Sequence, residues 1–303
     1  MSQTTNNTVH LLNHSGGSDE PMMRGGQADM PIGDIIRQTN NLSAEQVEKV
    51  LTHQRSTGMK FGEAAVALGL ARREDVLWAL SQQFDYPYAD ARSQLHPDLV
   101  VAADPFSDAS EAFRDMRSQI IMSVLDGTPN RHALAVISPD IGDGKSHFAA
   151  NLAYTFGQLG VRTLLVDADM RSPRQHEIFN LSVASGLSGI LAGKIESSVM
   201  RPIDDLPSLY VLPVGIVPPN PLELIQRPTF ELLLKELRLK FDYIIVDTPA
   251  LEHGSDARVI AGKCGAAIMV ARRGNSRMNA LNGAMNSIKK TGTHFAGVVL
   301  NEY

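Results

Sequence analysis

The chain has one cysteine and one tryptophan in 303 residues. A single thiol excludes an intramolecular disulfide and a cysteine-built zinc cluster. Cys264 sits in Ala261-Gly262-Lys263-Cys264-Gly265, where a small buried residue is expected. Basic residues are also short. Against 33 Asp and Glu there are 28 Lys and Arg, a net charge of −5. A nucleic-acid surface needs a basic stripe, so no nucleic-acid partner is expected. No apolar run approaches the ~20 residues that cross a bilayer. The start, Ser2-Gln3-Thr4-Thr5-Asn6-Asn7, is polar and carries no apolar signal segment. The expected location is therefore the cytoplasm, without direct membrane insertion. What is present is an ordinary globular balance, 43% hydrophobic and 20% charged, over a length that suits two domains.

Residues 1 to 29 are rich in Asn, Ser, Gly and Gln with no lasting period, and read as a disordered tail. Residues 30 to 88 carry an internal repeat. Pro31-Ile32-Gly33-Asp34 matches Lys60-Phe61-Gly62-Glu63 at an offset of 29 residues, and so do Val47 with Val76, Leu51 with Leu80 and Gln54 with Gln83. Each unit predicts two helices around a turn, at Asn40-Asn41 and at Gly69. Ser43 with Gln46 is a capping-box pattern that opens a second helix. Residues 89 to 108, with Pro97, Pro105 and many Asp and Ser, read as a linker. A domain over 109 to 303 follows, opening with a helix from about Ser110 to Leu125.

From His132 strand and helix alternate. Strand-like runs are Ala133–Ile137, Thr163–Val166, Leu209–Leu212, Tyr243–Val246, Ala266–Val270 and Gly297–Leu300. They are near-continuous aliphatic runs, as strands buried on both faces of a parallel sheet require. Helical stretches such as His147–Leu159 and Phe230–Leu239 supply the crossovers.

Three motifs carry chemistry. The first strand runs into Ser138-Pro139-Asp140-Ile141-Gly142-Asp143-Gly144-Lys145-Ser146, and a helix follows. Strand, glycine loop, Gly-Lys-Ser and helix form the P-loop context. Gly142 and Gly144 let backbone N–H groups turn onto phosphate oxygens, and the helix N-terminus adds positive potential. Lys145 can reach the terminal phosphates, and the Ser146 hydroxyl can take one Mg²⁺ position. Pro139 stands where the usual first glycine would be. Asp247 ends Ile244-Ile245-Val246-Asp247, the Walker B position, where a carboxylate holds Mg²⁺ directly or through water. Asp167 and Asp169 end a third apolar run, in Val166-Asp167-Ala168-Asp169-Met170-Arg171. Two such acids are costly to bury unless they bind a cation. The expected fold is α/β: a P-loop NTPase with a mainly parallel, doubly wound sheet, preceded by a small helical repeat domain.

With these residues the chain resembles the bacterial tyrosine kinases, whose Walker A′ motif corresponds to Asp167, Asp169 and Arg171. The resemblance runs over about residues 106 to 303. It continues through Pro173, His176 and Phe179, Gly186-Leu187-Ser188, Leu212-Pro213-Val214-Gly215, Pro218-Pro219-Asn220-Pro221 and Glu223-Leu224. It is closest to the chain-length-determinant kinases of exopolysaccharide operons. It implies an ATP-dependent protein-tyrosine kinase using Mg²⁺. Lys145, Asp167 and Asp169 would be catalytic, with Asp167 as base. Gly142, Asp143, Gly144, Lys145, Ser146, His147 and Asn301 would hold the nucleotide. Ser146, Asp167, Asp169 and Asp247 would surround the metal. Glu111, Arg114 and Arg117 fit the family's Glu-x-x-Arg-x-x-Arg oligomerisation motif, which implies a homo-oligomer, in a ring. The resemblance also implies a membrane-spanning chain-length protein as partner, whose cytoplasmic tail would dock on the kinase. The family usually ends in a tyrosine cluster. Here Tyr303 is the one tyrosine near that end, and Tyr86 and Tyr88 are the alternatives beside the linker.

The N-terminal repeat resembles the N-terminal domain of type II secretion and pilus ATPases, some of which bind cyclic di-GMP. Pro31 replaces a basic residue of that pattern, which weakens a site meant for two phosphates. Docking to another protein and a purely structural bundle are the other readings. Two rivals to the kinase stand beside it: an ATPase switch of the septum-site and partition type, and a nucleotide-responsive adaptor. Switches of that type carry a second lysine five residues before the P-loop lysine, where this chain has Asp140.

Overall fold

The computed structural model describes residues 30–83, 96–125, 132–194 and 199–302. The tail expected over 1–29 lies outside the described residues, as do Tyr86, Tyr88 and Tyr303.

The N-terminal unit is four helices: α1 (Ile32–Thr39), α2 (Ala44–Thr57), α3 (Phe61–Ala67) and α4 (Arg73–Gln83). The repeat is visible in its packing. Ile35, Ile36 and Val50 share one core with Ala64, Ala65 and Ala79, their counterparts 29 residues later. Ser43 closes its capping box: the hydroxyl accepts from Gln46 N–H at 3.2 Å, and the Gln46 side chain accepts from Ser43 N–H at 2.8 Å. The copies differ by one residue at the turn. Helix α1 has 8 residues and α3 has 7. The left-handed residue is consequently Asn41 (φ 51°) in one copy and Gly69 (φ 67°) in the other, two residue types that tolerate that region.

The second unit begins earlier than the sequence suggests. The linker expected over 89–108 contains a helix, α5 (Val100–Ala103), and Leu99, Val101 and Ala102 are buried in the same core as Phe148 and Leu152. After it come α6 (Asp108–Val124), β1 (Ala133–Ile137), α7 (Lys145–Gly157) and β2 (Thr163–Asp167). The chain continues through α8 (Gln175–Ile178), α9 (Leu187–Leu191), β3 (Arg201–Ile203), β4 (Leu206–Leu212), α10 (Pro221–Gln226) and α11 (Pro228–Lys240). It finishes with β5 (Tyr243–Asp247), α12 (Asp256–Cys264), β6 (Gly265–Arg272), α13 (Met278–Lys289) and β7 (His294–Asn301). The sheet order is β3-β4-β2-β5-β1-β6-β7. All neighbours are parallel except β3 with β4. The six expected strands are present, and β3 is an addition.

Alternation along β1 divides the core. Ala133, Ala135 and Ile137 pack on one face with residues of α11 and α12, such as Phe230, Leu234 and Ile260. Leu134 and Val136 pack on the other with Phe113 of α6 and with Phe148 and Leu152 of α7. Helices on both faces explain why the strands carry no polar alternation. Asn151, fully buried on α7, ties the α5 segment to this layer. Its Oδ1 accepts from Val101 N–H at 3.1 Å, and its Nδ2 donates to the carbonyls of Asp98 (2.6 Å) and His147 (2.9 Å).

Candidate active site

Strands β2, β5 and β1 are adjacent and parallel, so their carboxyl ends open at one place. This is where ligands bind open α/β sheets. Asp167 and Asp247 are direct register partners there, and Val136, one residue from the end of β1, pairs with Asp247 on the other side.

The loop after β1 is braced from within and from across the sheet. Gly142 (φ 80°) and Gly144 (φ 94°) make its left-handed turns. Pro139 takes no part in them, and its carbonyl accepts from Glu252 N–H at 3.1 Å. Asp143 is fully buried. Its carboxylate accepts from Asp140 N–H (3.0 Å) and from the Ser276 hydroxyl (2.9 Å). The Asn301 amide donates to the Asp143 carbonyl at 3.1 Å. A Cβ on Gly144 would lie 2.2 Å from that amide nitrogen. Asp143 and Asn301 thus brace the loop from within and from across the sheet. The first helical bond of α7 runs from Phe148 N–H to the Gly144 carbonyl, 2.9 Å. The helix end before it faces the loop, an anion-binding geometry. His147 packs its ring 6.5 Å from that of Phe113, centroid to centroid. Burial holds its imidazole below its ordinary pKa, partly offset by Asp98.

Lys145 is buried, and so are Asp167, Asp169 and Asp247. Burial, and next the Asp247 charge, push the Asp167 carboxyl well above the usual carboxylate range. Burial raises Asp247 to about 6, against the pull of the Gln175 amide, Lys145 and the Ser146 hydroxyl. Two buried acids, Asp167 and Asp247, thus stand side by side with Lys145 near them. A divalent cation is the countercharge that lets them ionise together. Asp247 Oδ1 is buried and accepts no hydrogen bond, so an acceptor stands open for that cation or its water. Among the described residues, no three His, Cys, Asp or Glu side chains are grouped to hold a metal ion by themselves. Of the expected shell, Asp167 and Asp247 are register partners at the ends of β2 and β5. Asp169 Oδ1 already accepts from the N–H groups of Arg171 and Ser172, both at 3.0 Å. Arg171 is itself held by Asp256 on α12, through Nη2 at 3.2 and 3.0 Å from its two oxygens. Such a site fits Mg²⁺, which keeps several waters and takes one or two carboxylates with phosphate oxygens.

Gln175, absent from the sequence expectations, is the central polar residue of the floor. It is fully buried at the start of α8. Its N–H donates to Asp167 Oδ2 at 3.1 Å, and its Nε2 donates to Asp247 Oδ2 at 2.8 Å and to the Ser146 carbonyl at 3.0 Å. A glutamine after Pro173-Arg174 carries no motif of its own. Only its spacing from Asp167 could have drawn notice.

On α6 the expected oligomerisation residues are bonded within the protomer. Arg114 reaches Glu111 Oε1 at 2.5 Å and also the Pro105 carbonyl. Arg117 Nη1 donates to the Thr155 carbonyl of α7 at 2.7 Å.

The family model of the CobQ/CobB/MinD/ParA nucleotide binding domain matches residues 134–303. CapB of Staphylococcus aureus is 35% identical over 214 residues, covering 71% of this chain and 92% of CapB. The tyrosine-protein kinase CpsD of Streptococcus agalactiae serotype III is 34% identical over 193 residues, 63% of this chain and 82% of CpsD. The chain belongs to the bacterial tyrosine kinases. The solved kinase domain of the Escherichia coli tyrosine kinase ETK agrees, with a TM-score of 0.64 at 32% identity over 69% of this chain and 81% of that one. This bacterial tyrosine kinase is accordingly an enzyme with a nucleotide-binding P-loop domain, and Lys145, Asp167 and Asp247 lie together at its sheet's carboxyl edge. None of the described helices of the kinase is long and apolar enough to cross a membrane.

Proposed function

We propose that this kinase transfers the γ-phosphate of ATP to protein tyrosines, and that it thereby regulates exopolysaccharide chain length, polymerisation and export. The observation that carries the reading is the side-by-side register of Asp167 and Asp247 behind the P-loop lysine. Bound Mg²⁺ would neutralise phosphate charge, held by the Ser146 hydroxyl and Asp247, with Asp167 and Asp169 behind them. The chain's own groups do the rest. Lys145 and the α7 N-terminus bind and orient the phosphates. Asp167 is gripped at both oxygens, by Asp169 N–H at 3.1 Å and Gln175 N–H at 3.1 Å. A fixed carboxylate with a raised pKa suits a base that takes the tyrosine hydroxyl proton as that oxygen bonds to the γ-phosphorus and the bond to the β–γ bridging oxygen breaks, releasing ADP. Phosphoryl transfer needs mainly positioning and charge stabilisation, which this set supplies.

The partner in this reading is a membrane-spanning chain-length protein whose cytoplasmic tail docks on the kinase and tethers it at the membrane. The kinase itself forms a homo-oligomeric ring through α6. The test is incubation of purified protein with ATP, Mg²⁺ and that tail, followed by detection of phosphotyrosine. Lys145→Met, which removes the main countercharge for the phosphates, should bind no ATP tightly and give no signal. Nucleotide binding without any tyrosine phosphate would favour the ATPase-switch reading instead.

A further inference from the structure

Gln175 joins the three motifs of the nucleotide site, yet it belongs to none of them. From one residue, hydrogen bonds run to Asp167 of the Walker A′ strand, Asp247 of the Walker B strand and the backbone of Ser146 in the P-loop helix. Its amide orientation is forced, because Nε2 faces two acceptors, a carbonyl and a carboxylate oxygen. That leaves Oε1 pointing the other way, buried and with no donor. Asp247 Oδ1 is open in the same manner. A fully buried side chain that satisfies its donor and leaves its acceptor open is built to receive something with hydrogens. In this pocket that is water belonging to a hydrated cation.

We propose that Gln175 is a positioning residue for the divalent cation. Its Nε2 fixes the Asp247 carboxylate so that Oδ1 faces the metal. Its Oε1 accepts a hydrogen bond from a water of the metal's hydration shell. The residue touches neither nucleotide nor substrate. It acts through Asp247 and Ser146, as groups behind a ligand orient the ligand. The proposal rests on the nucleotide reading of the site but not on tyrosine transfer.

The test is calorimetry of ADP binding, with MgCl₂ and with EDTA, on wild type and on Gln175→Met, which keeps the side chain's length and loses its donor and acceptor. Substituting such supporting residues typically costs about 10–100-fold in metal affinity. The expected result is a Mg²⁺-dependent gain in ADP affinity that falls at least about tenfold in the variant. Affinity in EDTA should stay within about twofold, since the P-loop N–H groups and Lys145 bind phosphate without the metal. An unchanged Mg²⁺ gain overturns the proposal. Parallel losses with and without Mg²⁺ also overturn it, because they mark a merely structural residue. If Gln175→Met does not fold, Gln175→Leu likewise removes donor and acceptor without adding a charge, and the same two affinities decide. A wild type that binds ADP equally with Mg²⁺ and EDTA defeats the cation reading itself, an outcome distinct from failure of the Gln175 role alone.

Discussion

At the scale of single residues, the active site is a problem in charge that backbone donors and one lysine only partly solve. Asp167 ends β2 with both oxygens accepting backbone N–H groups, an arrangement Asn can keep at one oxygen only, while Lys145 and the P-loop N–H groups that hold phosphate are left unaltered. Asp167→Asn should therefore retain most ADP affinity and lose about 10²–10⁴-fold in phosphoryl transfer, the usual size of a general-base contribution. Steady-state kinetics beside calorimetry checks both halves, and full transfer by the variant removes the base role. Cys264 makes the opposite case. It is fully buried, and burial pushes its thiol from 9.0 to about 12. It should resist alkylation at pH 8 in the native protein and react only as fast as the domain unfolds. The unfolded chain loses this proton at lower pH than the folded one, so this group makes stability fall as pH rises from 9.0 towards 12. Thiol labelling across a urea series measures the first effect.

At the scale of elements, what could be read in the sequence divides by the strength of local signals. The six apolar runs gave their strands because burial on both faces leaves no room for polar residues. Strand β3 was missed because it is short, partly exposed and contains Pro202, and it exists only as an antiparallel partner for β4. Helix α5 reads as linker in the sequence because Pro97, Pro105 and several acids surround the short run Leu99-Val100-Val101-Ala102-Ala103. Its backbone is bonded to Asn151, 50 residues later in sequence from Val101. Gln175 is hidden for a similar reason, since its side-chain partners Ser146 and Asp247 lie 29 and 72 residues away. The glycine-lysine-serine motif and the two acidic strand ends were legible because each is local. Asn151→Ala should cost about 1–3 kcal/mol, since it leaves the buried Val101 N–H, and the part-buried Asp98 carbonyl, without their side-chain partner. Hydrogen exchange at Val101 should quicken along with a lower urea midpoint. Unchanged protection there would show that packing alone holds α5.

At the scale of the whole molecule, the arginines of α6 have two possible allegiances. Within the protomer Arg117 pins α6 to α7, and Arg114 closes the turn at Pro105. In the proposed ring they would also face a neighbour. Changing Arg114 and Arg117 together to Ala should reduce the mass seen by light scattering under ATP·Mg²⁺ to that of a monomer. Identical masses would assign both residues to bonds inside the protomer. The loop brace has a different reach. The bond from Asn301 to Asp143 spans 158 residues. Contacts this distant require long-range loop closure. On the ribosome, at about 5–20 residues per second, roughly 8–30 s separate synthesis of the P-loop from synthesis of the residue that braces it. During that interval a nascent chain can present a glycine loop to the cell's nucleotide pool, but not the braced one. The fully braced form of the loop is thus available only once Asn301, 158 residues beyond Asp143, has been made.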